Sequence, residues 1–486
     1  MADPTPLSFE TGPSRRDVLR VGLTGAVVAA TGLAGPSRVA SAAGESPAAS
    51  RPNVLLIVCD QLGFDAMGWT GCPDVSTRNL DRLRQRSVAF NRTHSPDPVC
   101  SPARGALFTG RMPAETGVIA NAGQIRPDIP NLGQWLSQHG NYDTAYCGKW
   151  HLSDGWAREG GVPGFTVLPV GDGQGALVDH TITLSCEAYL NNRRAGEQAG
   201  ERPGGKPFLL VASYMQPHDI CLWGIQQEQL VPAELPFPQL RDRLPALPPN
   251  HTARPAAPAS LDRLRFKRFK SDEQWRYYLY NYYRLVEQLD TEVGRLLAAL
   301  DRSGQADNTV IIFTSDHGDG RARHGHVQKG YPYDEAVRVP LMVSWPGRLR
   351  PATLDDQHLV GLIDLVPTIC DYAGIQPPPK ARGRSLRPLL EPSTAPVDWR
   401  DHIVSQYRQS GRTVRTDRYK FVRERGDPTL QLFDLHNDPW ETRNLYQDPA
   451  LADVVAQHAQ LLDVHEAALD YAPNVDPATL REKVEA

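Results

Sequence analysis

Three short apolar runs in this sequence end in side chains that could bind a metal or move a proton. Val54-Leu55-Leu56-Ile57-Val58 leads to Asp60-Gln61, Phe208-Leu209-Leu210-Val211 leads to His218-Asp219, and Val310-Ile311-Ile312-Phe313 leads to Asp316-His317. Brought together, two carboxylates, an amide oxygen and an imidazole would make a four-ligand set for a divalent cation, dominated by hard oxygens and leaving room for a substrate oxygen. Each pair alone is weak evidence, since a strand-end Asp is more often a turn former or helix cap than a ligand. The metal reading therefore needs a second signal.

The elements that would position these groups can be read from the pattern. The runs are short and do not alternate, as expected of strands covered on both faces of a mostly parallel sheet. Open α/β folds gather their functional groups at the carboxyl ends of such strands. Ser271 and Gln274 form a capping-box pattern, and Tyr283, Val286, Leu289, Val293, Leu296, Leu297 and Leu300 keep helical spacing up to Ser303-Gly304. This helix feeds the strand at 309–315. From about 190 to 270 the chain is rich in proline, arginine and glycine, apart from the strand at 208–213. It reads there as surface loops that would shape a pocket, with Trp223 among their side chains. A second proline-rich stretch runs from Pro377 to Pro396. After it, Tyr419-Lys420-Phe421-Val422 and Leu430-Gln431-Leu432-Phe433 look like strands, followed by a helix around 449–470. The expected organisation is an α/β catalytic domain over 52–375, a connection over 376–397 and a small C-terminal α+β subdomain over 398–486.

Composition narrows the class. The 486 residues carry 52 basic and 56 acidic side chains, a net charge of -4, so no global field attracts nucleic acid or anionic lipid. The seven cysteines lack C-x-x-C spacing, which suggests neither a disulfide framework nor a zinc ribbon. At the start, Ser14-Arg15-Arg16-Asp17-Val18-Leu19-Arg20 precedes the mild apolar run Val21 to Leu33 and then Ala40-Ser41-Ala42. Residues 1–42 read as a twin-arginine export signal, with a short linker over 43–51. The apolar run is shorter than the ~20 residues a membrane span needs. A periplasmic or secreted protein without a stable membrane anchor is expected, exported by the twin-arginine machinery after folding in the cytoplasm.

The second signal comes from Cys100-Ser101-Pro102-Ala103-Arg104-Gly105-Ala106-Leu107-Phe108-Thr109-Gly110-Arg111. This run resembles the signature of the formylglycine-dependent sulfatases of the alkaline phosphatase superfamily, in which C-x-P-x-R is read by an enzyme that oxidises the cysteine. A free cysteine is usually a small buried hydrophobe, but a proline two residues on and an arginine four on make no packing pattern. Tyr142-Asp143-Thr144-Ala145-Tyr146-Cys147-Gly148-Lys149-Trp150-His151 is similar to the family's second signature. Gln216-Pro217-His218, Thr314-Ser315-Asp316-His317-Gly318, Lys329 with Glu335 and Arg338-Val339-Pro340, and Leu432-Phe433-Asp434-Leu435 through Asn437-Asp438-Pro439 extend the likeness over 52 to 450.

The resemblance implies an alkaline-phosphatase-like fold, with a large mostly parallel sheet flanked by helices, and hydrolysis of a sulfate monoester. Cys100, oxidised by a formylglycine-generating enzyme, would be hydrated to a diol. One hydroxyl would bond the metal and attack sulfur, with Asp316 as its base. Asp60, Gln61, Cys100, Asp316 and His317 would hold the metal, while Arg104, Lys149 and Lys329 would supply positive charge to the sulfate oxygens. His218, with Lys329, would protonate or stabilise the departing alcohol. His151 would help the second hydroxyl collapse to the aldehyde and expel sulfate. Lys149, His218 and Lys329 are also the expected substrate contacts. The substrate is expected to be a small-molecule or saccharide sulfate ester.

Two features depart from the family's usual pattern. Many sulfatases carry Asp-Asp and Asp-Asn where this chain has Asp60-Gln61 and Asp316-His317, a combination similar to choline sulfatases and phosphonate monoester hydrolases. An amide lowers the charge of the site and an imidazole softens it, so calcium is the expected ion, with manganese and magnesium as alternatives. Asn141 stands where the second signature usually has glycine, which predicts a local loop change. The rival readings are a phosphodiesterase or phosphonate monoester hydrolase on the same scaffold, and a non-catalytic anion-binding protein in which Cys100 stays a thiol.

Overall fold

The computed structural model describes residues 51–153, 161–171, 173–199, 205–222, 238–391 and 397–475. The expected export signal and Trp223 lie outside them, as do 200–204 and 223–237 of the expected pocket loops. Residues 51–486 form one compact unit.

Its centre is an eight-stranded sheet. In chain order the strands are β1 (Asn53–Asp60), β2 (Val88–Phe90), β3 (Asp143–Gly148), β4 (Thr166–Val167), β5 (Phe208–Pro217), β6 (Thr309–Ser315), β7 (Leu341–Ser344) and β8 (Thr353–Asp355). Their spatial order is β4-β3-β5-β1-β6-β7-β2-β8. Every pairing is parallel except the two that β7 makes, with β6 and β2. The longest apolar runs occupy the centre, where both faces are covered. Leu55, Ile57 and Cys59 of β1 point into one core, and Val54, Leu56 and Val58 into the other. That two-sided burial is why the run does not alternate.

Helix α1 (Cys100–Thr109) and helix α4 (Leu365–Tyr372) cover the second face, while α2 (Gly175–Gln198) and α3 (Asp272–Arg302) cover the first. In α3 the hydroxyl of Ser271 accepts from the Gln274 N–H, as the capping pattern predicts, but the Gln274 side chain reaches the Lys270 N–H instead of closing the box on Ser271. The buried stripe includes Tyr278, Tyr282, Val286, Leu289 and Val293; Tyr283, one position off, is only partly buried.

The C-terminal part is an antiparallel meander, β9 (Ile403–Tyr407), β10 (Gly411–Arg415), β11 (Tyr419–Glu424) and β12 (Gln431–Asp434), with α5 (Ala452–Ala468) packed on it through Leu462. Two of these strands, β9 and β10, carry no run that the sequence reading caught. The meander also supports the chain ahead of Cys100: Gln406 N–H donates to Pro96 C=O at 2.7 Å, and Ser405 Oγ to Ser95 C=O at 2.7 Å. The observed architecture is the expected one, a large mostly parallel sheet flanked by helices with a small C-terminal subdomain.

Candidate active site

The ends of β1 and β6 converge on the start of α1. Asp60 closes β1, Asp316 and His317 follow β6, and Cys100 is the first residue of α1; all four side chains are fully buried. One ligand atom from each lies within 4.8 Å of the others. Cys100 Sγ is 3.2 Å from His317 Nε2 and 3.8 Å from Asp60 Oδ1. Tight backbone passages make this convergence possible. Gly148 has φ 103°, and a Cβ there would sit 2.1 Å from Ser213 C=O, so only glycine lets the Lys149 N–H reach that carbonyl at 3.0 Å. At Gly318 a Cβ would fall 2.1 Å from Glu335 C=O.

The carboxylates divide their oxygens between two tasks. Asp60 Oδ2 accepts from Lys149 Nζ at 2.6 Å and Arg104 Nη2 at 3.2 Å, while Asp316 Oδ2 accepts from Arg104 Nε at 2.9 Å. Their Oδ1 atoms face the imidazole instead, 4.0 Å and 3.7 Å from His317 Nε2. His317 Nδ1 donates to Gly318 C=O at 2.8 Å, which orients the ring and leaves Nε2 as the nitrogen facing the cluster. Two carboxylate oxygens and an imidazole nitrogen converging beside Cys100, each braced from behind, fit a divalent ion.

Arg104 lies behind this cluster. Its remaining donor bonds Lys149 C=O and Ser213 Oγ, both at 2.8 Å. With every nitrogen engaged, it positions the two aspartates and holds the Lys149 backbone, and it does not face the pocket.

Gln61 enters differently from the expected amide-oxygen ligand. Its backbone N–H donates to Asp316 Oδ1 at 3.1 Å, helped by a left-handed φ of 72°. Its Oε1 accepts from Lys329 Nζ at 2.6 Å and from Cys221 Sγ at 3.1 Å, and its Nε2 donates to Asp319 at 2.6 Å. The amide thus positions Lys329 at the rim. Asp219 leaves the expected strand-end set as well: its carboxylate accepts the Gly175 and Ala176 N–H groups at the start of α2, each at 2.8 Å. It is the helix cap that a strand-end aspartate often is.

His218 is turned toward Cys100 and Asp60, with Nδ1 buried and without a protein partner. His151 has φ 58°; its backbone C=O accepts from Ser101 Oγ at 2.5 Å, and its buried Nδ1 also lacks a protein partner. Asn141 takes a left-handed φ of 54° after the turn at Leu136–Gly140, the conformation glycine would have supplied. Three contributors escaped the sequence reading: Ser213, Cys221 and Asp319. None sits in a motif for its role, although Asp319 lies within the Asp316-His317-Gly318-Asp319-Gly320 turn.

The electrostatics follow from burial and crowding. Burial pushes Asp60 up, yet Lys149, His218, Arg104 and Lys329 outweigh it and hold the carboxyl well below its usual range. Burial and the neighbouring Asp60 push Asp316 up to about 6. Burial opposes charge on His317, but Asp316 and Cys100 raise it to about 9. Burial, Lys329 and Lys149 lower His218 to about 4. Burial and Asp60 raise the Cys100 thiol, but Lys149, Lys329 and His317 bring it well below its ordinary value.

A mostly parallel sheet with a buried acidic and imidazole cluster able to hold an ion at its carboxyl edge, two lysines and an imidazole with a free Nδ1 suits a hydrolase of anionic esters. The sulfatase family model matches residues 52–375, and the model of the N-sulphoglucosamine sulphohydrolase C-terminal region matches 322–467. Delta 4,5-hexuronate-2-O-sulfatase of Bacteroides thetaiotaomicron is 28% identical over 441 residues, covering 86% of this chain and 89% of its own. The solved structure of a 2-O GAG sulfatase is 27% identical with a TM-score of 0.71, covering 89% of this chain and 96% of that one. Phosphonate monoester hydrolase of Agrobacterium radiobacter shares the fold at 24% identity and a TM-score of 0.67, covering 86% and 96%. The chain belongs to the sulfatase family and is a sulfuric ester hydrolase of the alkaline phosphatase superfamily. Membership implies a divalent metal and a formylglycine, and the buried cluster beside Cys100 suits both.

Proposed function

We propose that this sulfatase removes sulfate from a saccharide outside the cytoplasm, using formylglycine made from Cys100 and a calcium ion held by Asp60, Asp316 and His317. The observation that carries the reading is the division of the carboxylates: one oxygen of each is tied to Arg104 or Lys149, and the other lies within 4.0 Å of His317 Nε2, with that of Asp60 also beside Cys100. When bound, the ion supplies Lewis-acid charge to a sulfate oxygen, and the hydrated aldehyde supplies an attacking hydroxyl plus a second one that serine and cysteine lack.

The chain's own groups do the rest. Lys149 and Lys329 offer cations to the sulfate oxygens where charge gathers. Arg104 keeps the aspartates in register. Gln61 and Cys221 steady the Lys329 ammonium. His218, held near 4 by burial and the two lysines, is neutral at pH 7. A sulfate set among these groups offsets the lysines and raises the proton affinity of the imidazole, the condition for passing a proton to the leaving alcohol. His151, whose backbone C=O accepts from Ser101 Oγ, is the group we assign to accept the proton released when sulfate departs.

The saccharide reading is supported by the similarity to a hexuronate-2-O-sulfatase and a 2-O GAG sulfatase. The twin-arginine pattern in 1–42 supports export to the periplasm or medium, and modification by a formylglycine-generating enzyme before transit suits a route that carries folded proteins. Mass spectrometry of the tryptic peptide 93–104, from protein coexpressed with that enzyme, tests the nucleophile. An aldehyde at position 100 is expected, and a thiol there refutes it. Metal analysis is expected to find calcium, and manganese as the resident ion overturns that assignment. Turnover of an aryl sulfate is expected to exceed that of an aryl phosphodiester; the reverse order favours the phosphonate-hydrolase reading.

A further inference from the structure

We propose that the basic stretch over 263–270 is an outer binding surface for a sulfated polysaccharide chain, holding the polymer beside the catalytic pocket. The inference rests on the saccharide reading above. Arg263-Leu264-Arg265-Phe266-Lys267-Arg268-Phe269-Lys270 carries five cations and no carboxylate in a chain whose net charge is -4. The positive charge of this segment is therefore local.

Aromatic residues fix it in place. Phe269 is buried, Phe266 packs beside it with ring centroids 4.7 Å apart, and both lie edge-on to Trp275 at 5.1 and 5.9 Å. With the rings anchored inward, Lys267, Arg268 and Lys270 are exposed. Of the carboxylates flanking the segment, Asp262 pairs with Arg265 at 2.9 Å and Glu273 with Arg241 at 2.6 Å. The segment is also tied to the loop that carries the catalytic lysine. Phe266 N–H donates to Gly325 C=O at 3.0 Å and Arg265 Nη1 to His324 C=O at 2.9 Å, four and five residues before Lys329.

That placement gives the charge a purpose. A polymer with many sulfate esters that is held on 267–270 presents further esters to the pocket as an intramolecular event, raising their effective concentration there without a new catalytic contact. A small sulfate ester gains nothing from the same surface. A nucleic acid would meet the same cations, but it brings no sulfate ester for the adjoining pocket.

Binding of the full-length Cys100→Ala protein to immobilised dextran sulfate, across a salt series, tests the proposal. K267E/R268E/K270E is expected to weaken binding by about tenfold or more at low salt and to flatten the salt dependence, as removal of ionic contacts does. K267R/R268K/K270R is expected to hold wild-type affinity, and circular dichroism of both variants checks the fold. Equal binding by the charge-reversed variant with its fold intact overturns the proposal, as does duplex DNA binding as tightly as dextran sulfate. Turnover of 4-nitrophenyl sulfate by the formylglycine-bearing protein reads the catalytic function separately. Failure there, with dextran sulfate binding intact, sinks the enzymatic reading and leaves the surface standing.

Discussion

Two clusters of buried charge lie at opposite ends of the 316–335 segment, and they are built differently. At the seam with the C-terminal meander, both oxygens of Asp334 are taken, one by Lys420 and the other by Arg415 at 3.0 Å and Arg338 at 3.2 Å. Glu441 is equally occupied, accepting from Lys420 Nζ and the Asp334 N–H, both at 2.7 Å. At the catalytic end cations hold only Oδ2 of Asp60 and Asp316; Asp60 Oδ1 faces Cys100 and His317, and Asp316 Oδ1, 3.7 Å from His317 Nε2, accepts the N–H groups of Gln61 and His317. Burial pushes Asp334 up, but Lys420, Arg415 and Arg338 keep it well below its usual range, whereas Asp316, crowded by Asp60, rises to about 6. The closed cluster joins two parts of the fold. The open one has the groups to take the divalent ion that family membership implies.

The sharpest way to break this contrast is at Cys100. Cys100→Ala is expected to lower turnover of an aryl sulfate by roughly 10³-fold or more, the scale seen when a nucleophile is deleted. Metal content and melting temperature are expected to stay near wild type, because the carboxylates and His317 remain. Residual turnover within about tenfold of wild type would mean that another group attacks sulfur.

Exchanging the lysines of the two clusters separates stability from catalysis. Lys420→Met leaves Asp334 and Glu441 with too little compensation in a dry seam, and losing one partner of a buried ion pair costs about 3–5 kcal/mol. Denaturant unfolding is expected to show that loss; a change below about 1 kcal/mol would mean the seam is not a joint. Lys149→Met removes a cation from the pocket while Arg104 still holds Asp60. Its expected signature is a fall of about 10²–10³ in kcat/KM, as for loss of one charge-stabilising donor, with a smaller drop in stability than Lys420→Met. If the two variants exchange phenotypes, the assignment of open and closed clusters is reversed.

The catalytic end was far more legible in the sequence than the seam. Cys100, Lys149, His218 and Asp316 stand in local runs whose order survives as a pattern, and the strands leading to His218 and Asp316 begin as apolar runs because both faces are buried. The roles of Gln61 and Asp219 depended on partners that no local pattern announces. Gln61 meets Asp319 across 258 residues, and Asp219 caps a helix that begins 44 residues earlier. Asp334, Lys420 and Glu441 read as ordinary surface charges until β11 is laid against the catalytic segment. Strands β9 and β10 were missed for a related reason: Ser405, Gln406, Arg412, Thr413 and Arg415 are polar, yet buried by contacts with the body of the fold.

The smallest expected effect is also the most specific to the seam. Burial, with Asp334 and Glu335 nearby, raises Glu441 to about 7 against the pull of Lys420. A carboxyl with a raised folded value favours the protonated form in the native state. Its contribution to stability is fully present below its unfolded value of about 4.3 and is lost as pH rises through about 7. Glu441→Gln keeps an acceptor for Lys420 and removes this titration. Wild type is therefore expected to lose about 1–3 kcal/mol between pH 5 and pH 8 that the variant does not lose, read as the difference of their denaturation midpoints at the two pH values. Parallel pH profiles would show that Glu441 stays ionised throughout, with Lys420 dominating the seam more completely than its shared contact with Asp334 implies.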